Sequence, residues 1–233
     1  MTSPIILAVD TPDIELAKRW ISATRESIDV FKLGLEFYLN HGFGGISAIQ
    51  RETGAEIFLD LKLHDIPHTV SKATAVVSAL EPRFLTVHAS GGEAMISAAV
   101  KAVSSTSITA VTILTSLSQD DLSEIGFQGT ALSAAQALAN LAVKAGATSL
   151  VCSPHEISGI RKNVGDGVTI ITPGVRPADE ISADDQKRTM TPSEAISLGA
   201  NFIVIGRPIT SRWAKGSEQM AERAAQILDS VQR

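Results

Sequence analysis

Short apolar runs return along this chain at a nearly constant interval. They begin near Ile5, Val30, Ile57, Phe84, Thr109, Ser149, Thr169 and Phe202, and segments of helical periodicity fill the gaps. Parallel strands cannot be joined by tight turns; each needs a crossover, usually a helix. Strand then helix, eight times over in 233 residues, predicts a closed (β/α)8 TIM barrel. No Ser-, Pro- or Gly-rich linker breaks the pattern, so residues 1–233 are expected to form a single domain.

Local signals punctuate the helical gaps. Thr11-Pro12 suits an N-cap and first helical residue, followed by a stripe of Ile14, Ala17, Trp20 and Ile21. Val70, Ala73, Val76 or Val77, and Leu80 repeat at three-to-four spacing. Ser153-Pro-His-Glu156 and Thr191-Pro-Ser-Glu194 match the capping box. Gly146 and Gly199 stand where helices should stop.

Composition narrows the partners. A net charge of −5 argues against nucleic acid or an anionic membrane surface. A few local Arg and Lys residues would still serve an anionic small molecule. Aromatics are only 4% of the residues, so an aliphatic core is expected, as in buried parallel strands. The single cysteine, Cys152, cannot form an intrachain disulfide, which fits a reducing compartment. No basic leader precedes Ile5, and no apolar run reaches the roughly 20 residues that cross a bilayer. A cytoplasmic location is expected.

Polar residues gather at the predicted C-terminal ends of the strands, the rim where barrel enzymes place their chemistry. The densest group lies in Ile57-Phe-Leu-Asp-Leu-Lys-Leu-His-Asp-Ile-Pro-His-Thr69. Residues two apart on a strand share a face, so Phe58, Asp60 and Lys62 point one way and Leu59 and Leu61 the other. Asp65 follows three residues later, just before a helical run; an N-cap ahead of Pro67 is the structural alternative for it. Asp10 ends the first strand, Lys32 the second, Thr115 and Ser116 the fifth. Pro173 to Arg176 end the seventh, and Gly206 and Arg207 the eighth. Two lysines and several aspartates on one rim must pair. Arg176, Gly206 and Arg207 sit after strands seven and eight, where barrels commonly hold phosphate. The long polar stretch 176–190, with Gln186 in it, is a candidate lid. His64 and His68 are four apart without a third ligand at suitable spacing. His88 reads as a structural residue, and His41 and His155 as surface or cap residues. No metal is predicted.

These motifs together resemble the bacterial type of the orotidine 5′-phosphate decarboxylase family. The resemblance rests on Asp60-Leu-Lys-Leu-His-Asp-Ile-Pro-His-Thr69, Leu7-Ala-Val-Asp10, Phe31-Lys-Leu-Gly34, Leu114-Thr-Ser116, Pro173-Gly-Val-Arg-Pro177, Asp184-Asp-Gln-Lys-Arg188 and Gly206-Arg-Pro-Ile209, and so runs the length of the chain. It implies conversion of orotidine 5′-monophosphate to uridine 5′-monophosphate and carbon dioxide, the last step of de novo pyrimidine synthesis, without metal or organic cofactor. It implies a homodimer with sites at the subunit interface. Lys32, Asp60, Lys62 and the partner chain's Asp65 would form an alternating charged tetrad, with Lys62 giving the proton. Asp10 and Lys32 would hold ribose hydroxyls. Ile66 and Thr69 of the partner chain would face the ligand. Thr115, Ser116 and Pro173 would lie by the pyrimidine, and Arg176, Gln186, Gly206 and Arg207 would hold the phosphate. Metal-dependent 3-keto-L-gulonate-6-phosphate decarboxylases and hexulose-phosphate synthases share the Asp-x-Lys-x-x-Asp core and are the nearest alternative. A non-catalytic phosphate-ligand sensor is a more distant one.

Overall fold

A computed structural model of the protein describes residues 3–180 and 190–232. Eight parallel strands close into one barrel in chain order. They are β1 (Ile5–Ala8), β2 (Val30–Gly34), β3 (Glu56–Leu63), β4 (Phe84–His88), β5 (Ser107–Val111), β6 (Ser149–Val151), β7 (Thr169–Pro173) and β8 (Phe202–Ile205). β8 returns to β1 through the pairs Ile5↔Ile203 and Leu7↔Ile205. The crossovers are α1 (Ile14–Thr24), α2 (Leu35–Thr53), α3 (Pro67–Ser78), α4 (Gly92–Val100), α5 (Gln119–Glu124), α6 (Ala131–Lys144), α7 (Ile157–Val164) and α8 (Pro192–Ser197). After β8 come the single turn α9 (Arg207–Thr210) and the long α10 (Ser217–Gln232).

The apolar runs place the strands closely. Six begin at the residue expected; β3 starts one residue earlier and β5 two earlier. Both capping boxes form, and Gly146 and Gly199 lie just past helix ends with φ of 99° and 108°. Two local expectations need correction, and one left open is decided. The N-cap of α1 is Asp13, not Thr11: the Asp13 carboxylate accepts the N–H groups of Glu15 and Leu16 at 2.9 and 3.0 Å. A carboxylate there also meets the positive end of the helix dipole, which a threonine hydroxyl cannot match. The α3 stripe runs through Val77, while Val76 is 61% exposed. Strand five stops at Val111, and α5, with its own Ser118–Asp121 capping box, intervenes before α6. Thr115 and Ser116 therefore stand in a loop beyond the strand.

Alternation splits the apolar residues into two layers. Leu7, Leu33, Leu59 and Leu85 face outward and pack, with other aliphatic side chains, against the helices. Ile6, Val30, Phe58, Phe84, Ile171, Phe202 and Val204 face inward. The inner layer is thus partly aromatic, contrary to the aliphatic core expected: a few large rings span the barrel where smaller side chains would leave voids. Phe84 meets both Phe58 and Phe202 edge-on at 5.7 Å between centroids. Arg83 stacks over Phe84 and Phe202 and pairs with Glu56 at 2.5 Å at the N-terminal end of the barrel. This floor fills the lower barrel and leaves the inward positions above it, at the C-terminal rim, for polar side chains. Cys152 is fully buried, and burial pushes its thiol up to about 12.

Candidate active site

The charged side chains at the ends of β1, β2 and β3 form one connected chain. Lys32 Nζ lies 3.1 Å from Asp10 Oδ1 and 3.7 Å from Asp60 Oδ2. Lys62 Nζ lies 2.8 Å from both oxygens of Asp60. The order is acid, base, acid, base, and strand register produces it: Lys32 pairs with Phe58 in the β2–β3 ladder, two residues before Asp60 on the same face. Burial alone would push the Asp60 carboxyl up; the positive charges of Lys32 and Lys62, with hydrogen bonds from Lys62 and Thr86, outweigh it and hold Asp60 below the usual carboxylate range. Asp60 is therefore ionised in a nearly dry setting.

Lys62 occupies a left-handed backbone position, with φ of 50°. The β3–β4 ladder breaks there: Leu59 pairs with Leu85, but the next pair is Leu63 with Val87. The Lys62 N–H donates to Thr86 Oγ1 at 2.8 Å, and the Thr86 hydroxyl donates to Asp60 Oδ1 at 2.9 Å. Thr86 escaped the reading of the sequence, although a signal was present: Phe84, Thr86 and His88 alternate, so Thr86 faces inward like Asp60. His88 stacks on His64 at 5.4 Å. Burial, then the proximity of His64 and Lys62, holds the His88 imidazole below its ordinary value. A neutral ring at this place adds no positive charge beside Lys62.

Two adjoining hollows open on this chain of charges. One, of about 220 Å³, is lined by Lys32, Asp60, Lys62, Val111, Thr115 and Pro173, with Phe58 and Val204 beneath. The other, of about 290 Å³, is lined by Asp10, Lys32, Gly34, Asp60 and Lys62. Lys32, Asp60 and Lys62 form the wall shared by both. The first is mostly apolar and slot-like, suited to a planar ring; the second offers a carboxylate and ammoniums to hydroxyl groups.

The remaining expected residues fall as follows. Ser116 is exposed beside Thr115. Gly206 N-caps α9 and sits so close to β1 that an added Cβ would come within 3.3 Å of Ala8 Cβ. Arg207 is exposed, and its side chain has no hydrogen-bond or ion-pair partner among the described residues. Arg176 is half-buried; its side chain donates to the Val175 carbonyl, and its N–H pairs with the Met190 carbonyl at 3.0 Å. Gln186 lies outside the described residues, as does most of the candidate lid. Asp65, Ile66 and Thr69 are exposed at the start of α3. Asp65 accepts the N–H of Ile66 at 2.7 Å, while the N-cap position of α3 belongs to Ile66, so the capping alternative for Asp65 does not hold. Within its own chain Asp65 pairs with no cation among the described residues.

Among the described residues no group of three His, Cys, Asp or Glu side chains converges as a metal site. His41 is more than a surface residue: its Nε2 lies 2.7 Å from the Pro12 carbonyl and its ring packs on Phe37. No helix among the described residues is long and apolar enough to cross a membrane.

A family model described as "Orotidine 5′-phosphate decarboxylase / HUMPS family" matches residues 3–223. The chain belongs to the orotidine 5′-phosphate decarboxylase / HUMPS family. It is 50% identical over 210 residues to the orotidine 5′-phosphate decarboxylase of Thermobifida fusca (strain YX), covering 90% of each chain. It is 48% identical over 212 residues to the protein of the same name from Sphingopyxis alaskensis, covering 90% of this chain and 93% of that one. The crystal structure of orotidine 5′-phosphate decarboxylase from Lactobacillus acidophilus superposes with a TM-score of 0.84 at 32% identity, covering 99% of this chain and all of that one. The eight-stranded barrel described above is thus the fold of orotidine 5′-phosphate decarboxylase.

Proposed function

We propose that this protein decarboxylates orotidine 5′-monophosphate to uridine 5′-monophosphate and carbon dioxide, the closing step of pyrimidine nucleotide synthesis. The observation that carries the reading is the Asp10–Lys32–Asp60–Lys62 chain along the wall between an apolar slot and a polar hollow. The pyrimidine fits the slot beside Thr115 and Pro173. The ribose hydroxyls fit the hollow at Asp10 and Lys32. The phosphate is assigned to Arg207, whose side chain has no partner among the described residues, with Arg176, Gly206 and Gln186.

The chemistry follows from the charges. The bond from C6 to the carboxyl carbon breaks, its electron pair stays on C6, and carbon dioxide leaves. The ring delocalises that pair poorly, so the surroundings must stabilise it. Lys62 attracts the growing charge and then gives C6 a proton, so its benefit increases along the reaction coordinate. Asp60, kept ionised, repels the substrate carboxylate before it leaves. Two unit charges about 4 Å apart interact by roughly 4 kcal/mol at an effective dielectric near 20, equivalent to about a thousandfold in rate.

A homodimer completes the site in this reading. Asp65, Ile66 and Thr69 are exposed, and Asp65 has no cation partner among the described residues of its own chain, as expected of groups that serve a partner's site. The helices before and after β3 leave large apolar side chains in water: Leu39 at 80% and Leu35 at 48% exposure on α2, Ile66 at 65% before α3 and Val76 at 61% on it. A partner subunit would cover them.

The test is loss of orotate absorbance from orotidine 5′-monophosphate with purified protein in EDTA. Turnover undiminished by chelator is expected. Turnover that needs a divalent metal, on a sugar phosphate instead, would favour the 3-keto-gulonate-phosphate branch. Relatives 41% to 50% identical carry the name orotidine 5′-phosphate decarboxylase, which speaks against that branch.

A further inference from the structure

The break in the β3–β4 ladder has a consequence for the reacting lysine. Between the pairs Leu59↔Leu85 and Leu63↔Val87, β3 has Asp60, Leu61 and Lys62 where β4 has only Thr86. One side chain of β4 therefore has to serve a stretch of three β3 residues. Thr86 is fully buried, and its hydroxyl is used in both senses: it accepts the Lys62 N–H at 2.8 Å and donates to Asp60 Oδ1 at 2.9 Å. Each bond does separate work. The first fixes the backbone of a lysine whose φ of 50° an L-residue rarely adopts. The second sets the rotation of the carboxylate whose two oxygens hold the Lys62 ammonium.

We propose that Thr86 is a positioning residue for the decarboxylation: its single hydroxyl locks the backbone of Lys62 and the carboxylate of Asp60 into one rigid unit. Thr86 lies below Asp60 and lines neither hollow; it acts through the two residues that line both. The proposal rests on the reading of the site given above. A hydroxyl is required because no apolar side chain can accept one bond and donate another. Without it a buried N–H is left unpaired and the carboxylate is free to turn.

The experiment compares Thr86→Val, which keeps the shape and removes the hydroxyl, with Thr86→Ser, which keeps the hydroxyl. In Thr86→Val, kcat is expected to fall roughly 10- to 100-fold, the range of one hydrogen bond to a charged group, and Thr86→Ser to recover to within about threefold of the parent. The dissociation constant for uridine 5′-monophosphate should change by less than about threefold, because Thr86 meets no part of the nucleotide. The pH profile gives a readout that a purely structural role would not move. Lys32 from β2, Lys62 on β3 and His88 on β4 face Asp60, with His64 behind His88 and Asp10 behind Lys32. None of these changes in the variant. Losing the donor to Asp60 raises its pKa, so the acid limb of kcat should move to higher pH in Thr86→Val and return in Thr86→Ser. The substrate phosphate titrates at about pH 6, above Asp60, so the limb is compared at saturating substrate, where the phosphate is bound alike in all three enzymes.

A Thr86→Val enzyme with parental kcat and an unmoved acid limb overturns the proposal. So does a loss that Thr86→Ser does not restore. Should Thr86→Val fail to fold, Thr86→Cys is compared with Thr86→Ser instead, since the two differ only in a thiol, a weak donor and acceptor, for a hydroxyl. A lowered kcat and a shifted limb in Thr86→Cys support the role, and parental values overturn it. Absence of turnover by the parent protein would sink the functional reading instead, and is scored before any variant.

Discussion

Lys62 carries the largest share of the proposed chemistry, and its replacement separates catalysis from binding. Lys62→Ala removes both the charge that stabilises the carbanion and the proton that quenches it. Turnover should fall by at least about a thousandfold, the value of one close charge alone, while uridine 5′-monophosphate binding stays measurable by calorimetry. Near-parental turnover would refute the role. Arg207 should behave in the opposite way. In Arg207→Ala, KM for the phosphorylated substrate should rise about 10- to 100-fold, the loss of one charge-assisted contact, with much less effect on unphosphorylated orotidine. Equal losses on both would count against phosphate recognition. Asp60 and Lys62 were legible in the sequence because alternation puts residues two apart on one face. Thr86 was not, because a lone threonine in an apolar strand is ordinary until its hydroxyl is seen between two charges. The left-handed backbone of Lys62 had no signal either, since positive φ is marked in sequence mainly by glycine and asparagine.

At the scale of elements, α2 shows what a glycine does by its place. Gly42 interrupts the helix with φ of 59° and ψ of −157°, a conformation that L side chains seldom reach. Gly44, two residues on, has no such φ. A Cβ meets nothing within 4 Å at either position, so backbone conformation alone separates them. Gly42→Ala should cost about 1–3 kcal/mol of stability. Gly44→Ala should be neutral or stabilise by up to about 1 kcal/mol. Paired thermal melts check both, and a Gly42→Ala protein as stable as the parent would argue that the kink is not kept. The same contrast explains which elements the sequence disclosed. Strand starts were plain because eight apolar runs each begin abruptly. The end of β5 was not: Ile113 and Leu114 continue the apolar run past Val111 because they line the cleft, not because they extend the strand. The start of α1 was misplaced because Thr11, Pro12 and Asp13 are all good cap-region residues, and only geometry shows which oxygen reaches the free N–H groups.

Across the whole molecule, the barrel presents three of the four members of the proposed tetrad on one wall and leaves the fourth exposed beyond β3. Asp60, Lys32 and Lys62 come from adjacent strands whose register fixes them together. Asp65 stands beyond β3, exposed, its carboxylate accepting the neighbouring Ile66 N–H. If Asp65 serves the partner's site, each dimer holds two sites and each site draws on both chains. That arrangement has an arithmetic consequence. A Lys62→Ala dimer lacks the lysine in both sites, and an Asp65→Ala dimer lacks the aspartate in both. After subunit exchange, a mixed dimer contains one site with both defects and one with neither. Statistical exchange of equal amounts makes half of the dimers mixed, so one site in four is intact and about a quarter of the parental activity should return, whereas neither variant alone is active. Exchange is followed independently by mass-tagging one variant. Recovery near this level places Asp65 across the interface. No recovery, with exchange demonstrated, places it in the site of its own chain and removes the need for a partner in the chemistry.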